Sequence, residues 1–256
     1  MKIKANRMYY FLHRKFKDWW FYGLWRQILY FAIFSIKKPE KLKILLIYTS
    51  GRTGSTVLCS TLSNSKAFEY EEEILRKKLI HFPSFVLGHA QKKRGSWYIL
   101  KVKQMNLSRL DTTLVTFISE LGNQFIYKVH LFRKNEFEHS ISRFIAEKRN
   151  IYNSKKTPNT KQPKVNISYS NLREKIYWQK RENTLEKLET KGLEFIKLTY
   201  EDDICTSDKL ICTQKLLFKA LGVDENAVEP EYKKVLSKDL SQEILNWNEI
   251  KNLENV

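Results

Sequence analysis

Residues 44–62 read Ile-Leu-Leu-Ile-Tyr-Thr-Ser-Gly-Arg-Thr-Gly-Ser-Thr-Val-Leu-Cys-Ser-Thr-Leu, and their types suit one task, the holding of an oxyanion. An apolar run from Ile44 to Tyr48 predicts a buried strand. It breaks at Ser50-Gly51-Arg52-Thr53-Gly54-Ser55-Thr56 and resumes with helical spacing from Val57. In a strand–loop–helix passage of this kind, loop amides and the unsatisfied amides of the first helical turn point at one spot, where the helix dipole is positive. Gly51 and Gly54 allow close approach, Arg52 adds a fixed fork of donors, and Ser55 and Thr56 add hydroxyls. The plainer alternative is a turn whose glycines serve geometry alone.

What the segment lacks narrows the anion. A nucleotide-triphosphatase loop places a lysine between its last glycine and the Ser/Thr pair, whereas Gly54 runs directly into Ser55-Thr56. A dinucleotide fingerprint needs a third glycine and a later acidic residue, and neither is present. A second cluster, Arg133-Lys134-Asn135 followed by Ser142, closes a later apolar run. Asn135 suits a helix cap, and Ser142 lies two turns along on nearly the same face. An arginine and a serine converging there could hold a second phosphate. Alone, the segment reads as a capped helix with a solvated basic end.

The elements that must position these groups alternate. Strands are predicted at 44–48, 97–102, 125–131 and 194–198, and helices after the loop and at about 111–121, 135–149, 171–190 and 209–221, with glycines ending the last two. The pattern implies an α/β fold, a parallel sheet flanked by helices with ligands beyond the strands' C-terminal ends. The five histidines (His13, His81, His89, His130, His139) show no ligand pairing, so no metal is expected. Three cysteines (Cys59, Cys205, Cys212) give neither a disulfide framework nor a metal spacing, which suits a reducing, cytoplasmic setting, with Cys59 in the core.

Charge is the chain's extreme property. Among 256 residues, 46 Lys and Arg face 28 Asp and Glu, a formal net charge of +18 that favours anionic partners or an acidic membrane surface. Residues 1–43 carry eleven of the cations against Asp18 and Glu40, and residues 148–164 carry six cations and no acid. The latter stretch, with Pro158 and Pro163, reads as a solvated loop or as a cover for an anionic ligand. Residues 19–36 are apolar and aromatic around Arg26 and Gln27, short for a spanning helix and lacking a cleavage site. A helix lying in a membrane interface and a helix packed on the domain remain equal alternatives for residues 1–42. No recognition motif accompanies the basic residues, so nucleic acid is not an expected partner.

Taken together, the two anion sites resemble those of sulfotransferases that use 3′-phosphoadenosine 5′-phosphosulfate (PAPS). Ser50 to Thr56 is similar to their 5′-phosphosulfate loop, and Arg133 with Ser142 to their 3′-phosphate element; Lys134 rivals Arg133 because the spacing is one longer than in the cytosolic branch. The closest likeness is to the carbohydrate-type branch that includes nodulation-factor sulfotransferases. Asn64 to Leu75, Leu198 to Asp203 with Leu221-Gly222, and Ile244 to Ile250 resemble further blocks in the expected order.

The resemblance implies a sulfotransferase fold over residues 43–256, a P-loop-like sheet preceded by a basic aromatic extension at 1–42. It implies sulfuryl transfer from PAPS to a hydroxyl, in the first place on a sugar. Arg52, Thr53, Gly54, Ser55 and Thr56 would cradle the phosphosulfate, Glu73 would be general base, and Lys103 would stabilise charge on the bridging oxygen. Glu71, Glu72 and His89 compete with Glu73 for the base. The rival functions are a P-loop-type nucleoside or sugar kinase and a non-catalytic polyanion-binding protein.

Overall fold

The computed structural model describes residues 41–76, 79, 81–91, 96–122, 124–150, 163–229 and 240–255, with Trp25, residues 27–29 and Ala32 of the leader. The remaining leader positions and residues 151–162 of the basic loop lie outside the described residues. Among the described residues, no helix is long and apolar enough to cross a membrane.

Five strands form one all-parallel sheet in the order β2-β3-β1-β4-β5: β1 (Lys43–Thr49), β2 (Phe68–Tyr70), β3 (Trp97–Val102), β4 (Phe125–Phe132) and β5 (Ile196–Thr199). The continuous apolar run of β1 reflects its central place, since both of its faces must be covered. Leu45 and Ile47 meet α1 (Ser55–Leu62) and α7 (Ser207–Leu221); Ile44, Leu46 and Tyr48 meet α2 (Phe82–Gln91), α3 (Gln104–Leu110) and α4 (Leu114–Glu120). Cys59 lies in the first of these layers, fully buried, and all three cysteines are free thiols.

A third apolar cluster joins α5 (Glu136–Arg149), α6 (Tyr169–Glu189) and the C-terminal segment with its short helix α8 (Trp247–Ile250). That segment also clamps the chain on both sides of residues 151–162. Arg149 pairs with Glu243 at 2.9 Å and donates to the carbonyl of Pro163; Val165 bridges Ile244; Asn246 exchanges two hydrogen bonds with the backbone of Ile167.

The predicted strands at 97–102 and 125–131 are observed, the second one residue longer, and α1 starts at Ser55, two residues earlier than its apolar spacing suggests. The strand expected from 194 begins at Ile196. Two helices, α3 and then α4, stand where one was expected at 111–121; only α4 falls within that range, and α3 is not anticipated. Asp111 turns left-handed at φ 53 to close the first, and the Thr113 hydroxyl caps the second by accepting from the Thr116 amide. Neither β2 nor α2 is anticipated. The strand is three residues at the sheet's edge, and the helix holds Pro83 and Gly88, both poor helix signals.

Gly54 is the tightest point of the frame. Its φ is +81, and a Cβ there would lie 2.8 Å from Ile204 Cγ2 and 3.0 Å from the Tyr200 ring. Gly51 has no such constraint, since a Cβ there meets nothing within 4 Å. Gly54→Ala should therefore lower unfolding stability by about 2–4 kcal/mol, through left-handed strain plus overlap. Gly51→Ala should change it by less than about 1 kcal/mol. Urea denaturation of both variants checks the contrast.

Candidate functional site

The chain leaves β1 toward the β3 side of the sheet and leaves β4 toward the β5 side, so the connections part above the C-terminal ends of β1 and β4. Ligands of open parallel sheets lodge in such a crevice. Both segments read from the sequence as candidate anion sites, residues 50–56 and 133–142, open onto it.

The loop after β1 has two left-handed residues, Arg52 (φ 69) and Gly54 (φ 81). Gly54 is the N-cap of α1 and supplies no side-chain cap, so the amides of the first turn are left to a ligand or to water. The hydroxyls divide by role. Thr53 is fully buried, shares a 2.5 Å hydrogen bond with Thr49 Oγ1 and donates to the Ser50 carbonyl, so it shapes the loop. Ser50 Oγ is buried without a hydrogen-bond partner, a polar group that an anion in the cradle would satisfy.

One wall comes from β3 and the turn after β2. Lys101, on β3, is buried beneath the cradle and donates from Nζ to Thr56 Oγ1 at 3.2 Å, while Glu73 Oε1 lies 4.0 Å from the same nitrogen. Burial holds the Lys101 ammonium below the usual lysine range. Lys103 also reaches Glu73, at 2.7 Å. Burial pushes the Glu73 carboxyl up, but the Lys103 hydrogen bond and the charges of Lys103, Lys101 and Arg76 outweigh it, leaving the group below the ordinary carboxylate range.

Glu73 sits in the left-handed region at φ 53, a conformation that costs a non-glycine residue energy and needs outside support. Here Asn106 donates to the Leu75 carbonyl and Arg109 to that of Arg76. Of the four candidate bases, Glu71 pairs with buried His89 at 3.0 Å and Glu72 is exposed. Glu73 is the one joined to the cradle, through Lys101.

The opposite wall is α5, capped by Asn135, whose side chain accepts from the Glu138 amide. His139 Nε2 lies 2.5 Å from the Gly51 carbonyl, which makes this nitrogen the proton-bearing donor; Ser142 Oγ accepts from Arg52 Nε at 3.3 Å. Burial holds the His139 imidazole down at about 3, against the hydrogen bond to Gly51 that favours the charged form.

Arg133 is held by acidic side chains. Its guanidinium donates to Glu138 Oε2 at 3.0 Å and to Glu201 Oε1 at 3.3 Å, and lies 4.3 Å over the Tyr200 ring. Glu201 also accepts from the backbone amide of Lys134, and the Lys134 side chain pairs with Asp202. Ser142 thus joins Arg52 of the first cradle, and no hydrogen bond joins it to Arg133.

Sequence reasoning missed Lys101 and the role of His139. The available signal for Lys101 was a lysine inside an otherwise apolar, fully buried strand, where a charge is rare unless it has a partner. Among the described residues, no group of His, Cys, Asp and Glu is arranged to hold a metal. A scan against protein-family models and a search of curated proteins returned no match.

Two outcomes follow from this geometry. Lys101→Met should weaken inorganic sulfate or phosphate binding at least about tenfold in calorimetry. It should leave the melting temperature unchanged or higher, because a buried ammonium is costly to desolvate. His139 is neutral in the fold but takes a proton below about pH 6.5 when unfolded. Its contribution is therefore complete above that pH and is lost as pH falls toward 3, by at most about 1.4 kcal/mol per pH unit. His139→Gln, which keeps a donor for Gly51, should flatten the stability profile between pH 6.5 and pH 5 in denaturant titrations.

Proposed function

We propose that the protein transfers a sulfuryl group from PAPS to a hydroxyl, on a carbohydrate or glycoconjugate. The observation that carries this reading is the meeting of an uncapped, glycine-led helix N-terminus with Glu73, through the buried ammonium of Lys101. The resemblance of scattered sequence blocks to PAPS-dependent sulfotransferases adds to it. The residues present suit the donor. The orphaned Ser50 hydroxyl, the α1 amides, Arg52 and Lys101 all offer protons to an oxyanion.

In this reading the reacting group arrives activated, so the protein supplies alignment, a base, and stabilisation of the leaving charge. Glu73, ionised at neutral pH, takes the acceptor's proton as the hydroxyl oxygen bonds to sulfur. The sulfur–oxygen bond to the 5′-phosphate breaks, and the electron pair left on that oxygen meets the α1 amides, Arg52 and Lys101, with Lys103 at the rim. Arg133 contacts the 3′-phosphate by exchanging one of its two carboxylate partners for it.

A second reading, a P-loop-type nucleoside or sugar kinase, is favoured by the same Lys101. It brings to the cradle from β3 the lysine that the loop lacks between Gly54 and Ser55. The two separate in a thermal-shift titration with 3′-phosphoadenosine 5′-phosphate, ADP and ATP. At about a hundred times its dissociation constant a ligand adds on the order of 2.7 kcal/mol, several degrees for a chain this size. Stabilisation by the 3′-phosphorylated nucleotide alone is expected. An equal response to ATP turns the assignment to a kinase, and no response to any of them leaves a polyanion-binding protein. Glu73→Gln should then abolish transfer and spare donor binding, and retained transfer would remove Glu73 as base. Arg133→Ala should weaken the 3′-phosphorylated nucleotide while leaving ADP unchanged.

A further inference from the structure

Helix α6 is inside out. Its buried face carries Gln179, Asn183 and Glu186 alongside Leu172 and Ile176, whereas Tyr177, Trp178, Leu185 and Leu188 stand in solvent, 61%, 49%, 39% and 62% exposed. At 3.6 residues per turn, Tyr177, Arg181, Leu185 and Leu188 fall on one strip along the outer surface, with Trp178 at its border. A row of exposed cations, Arg173, Lys180 and Lys187, runs along the strip's other border. Helices α5 and α7 bury their apolar side chains in the ordinary way, so the inversion belongs to α6.

The aromatic end of the strip is held in place. Trp178 donates from Nε1 to Glu174, meets Tyr177 edge-on at 5.6 Å between centroids, and carries the Arg181 guanidinium 5.3 Å from its ring. A groove of about 440 Å³ opens beside it, lined by Lys148 and Lys175 and by Glu147 and Glu174, with Glu147 paired to Lys175 at 2.6 Å. Tryptophan and tyrosine next to leucines, bordered by arginine and lysine, is the composition that sits at a bilayer surface. The rings and leucines enter the headgroup–acyl boundary, and the cations reach the headgroups.

Charge decides among the occupants. A second copy of the chain would bring one basic row and a net +18 against another, and the leader, with eleven cations against two acids, repels the same surface. The described leader residues Trp25, Ile28 and Leu29 expose apolar side chains at i, i+3 and i+4 as well, a second face of the same character. We infer that the outer face of α6 is a docking surface for an anionic lipid bilayer. This stands independently of the sulfuryl-transfer reading, because its test reads binding and not turnover.

The experiment is co-sedimentation of the full chain with phosphatidylcholine vesicles, with and without added phosphatidylglycerol, at low and high salt. The wild type should sediment with the anionic vesicles, remain in solution with phosphatidylcholine alone, and be released by salt. The triple variant Tyr177→Ser/Trp178→Ser/Leu188→Ser should bind roughly tenfold more weakly while keeping the wild-type circular dichroism and melting temperature. Should that variant misfold, Arg173→Gln/Lys187→Gln changes two exposed side chains, and it should still weaken binding severalfold and reduce the salt dependence. The proposal fails if the wild type ignores anionic vesicles, or if well-folded variants sediment like the wild type. It fails equally if light scattering shows a wild-type dimer that the triple variant converts to monomer.

Discussion

An ammonium shut away from water must find acceptors, and the C-terminal edge of this protein's sheet is arranged around one that has too few. Lys101 has three protons to donate. Among the described residues it makes a single hydrogen bond, to Thr56, with the Glu73 carboxylate a further step away at 4.0 Å. Full neutralisation by that carboxylate is prevented because Lys103 holds it more closely, at 2.7 Å. The cradle therefore keeps a positive deficit at the point where the α1 amides and the unsatisfied Ser50 hydroxyl also converge. An anion bound there, as proposed, would meet groups already short of partners and displace little, which is what preorganisation means electrostatically.

The sheet's other face reaches the same edge by a polar route. Tyr48, one residue before the end of β1, donates to Glu189 Oε2 at 2.5 Å and reaches Gln104, while His130, its neighbour on β4, meets Glu186 at 3.3 Å. Burial raises the Glu186 carboxyl above the ordinary range, and His130 draws it partly back. Arg143 extends the network from α5 to Gln179 and Glu182. These contacts seat the inner face of α6 with hydrogen bonds in place of leucines, and so its apolar residues are left to the outer face.

The frame was legible where a strand is buried on both faces. β1 is an apolar run from Ile44 to Tyr48, and β3 and β4 are apolar apart from Lys101, Lys128 and His130. β2 and α2 were hidden because a three-residue edge strand has no periodicity to detect, and Pro83 and Gly88 obscure a helix that tertiary packing nevertheless supports. The strand–loop–helix passage at 43–62 was legible because glycines and hydroxyls at fixed spacing constrain a loop locally. Its supports were not. Lys101 reaches Thr56 because β3 pairs with β1 in the register that sets Ile47 beside Lys101, and one-dimensional sequence carries no register. The same holds for His139 and Gly51, joined across α5 and the loop, and for the hydrogen bond of Ser142 to Arg52.

The contact of Gly54 with Tyr200 and Ile204 also bears on how the protein is made. The turn that shapes the cradle is only locked by side chains about 150 residues further along the chain. On a ribosome, β1 emerges early and waits for β3 and then β4 to pair on either side, its apolar residues uncovered meanwhile. The cradle's last support arrives later still, with the turn after β5. Locking of this loop is thus a closing event of folding, and truncation before residue 200 leaves a chain that has the motif and lacks the packing that shapes it.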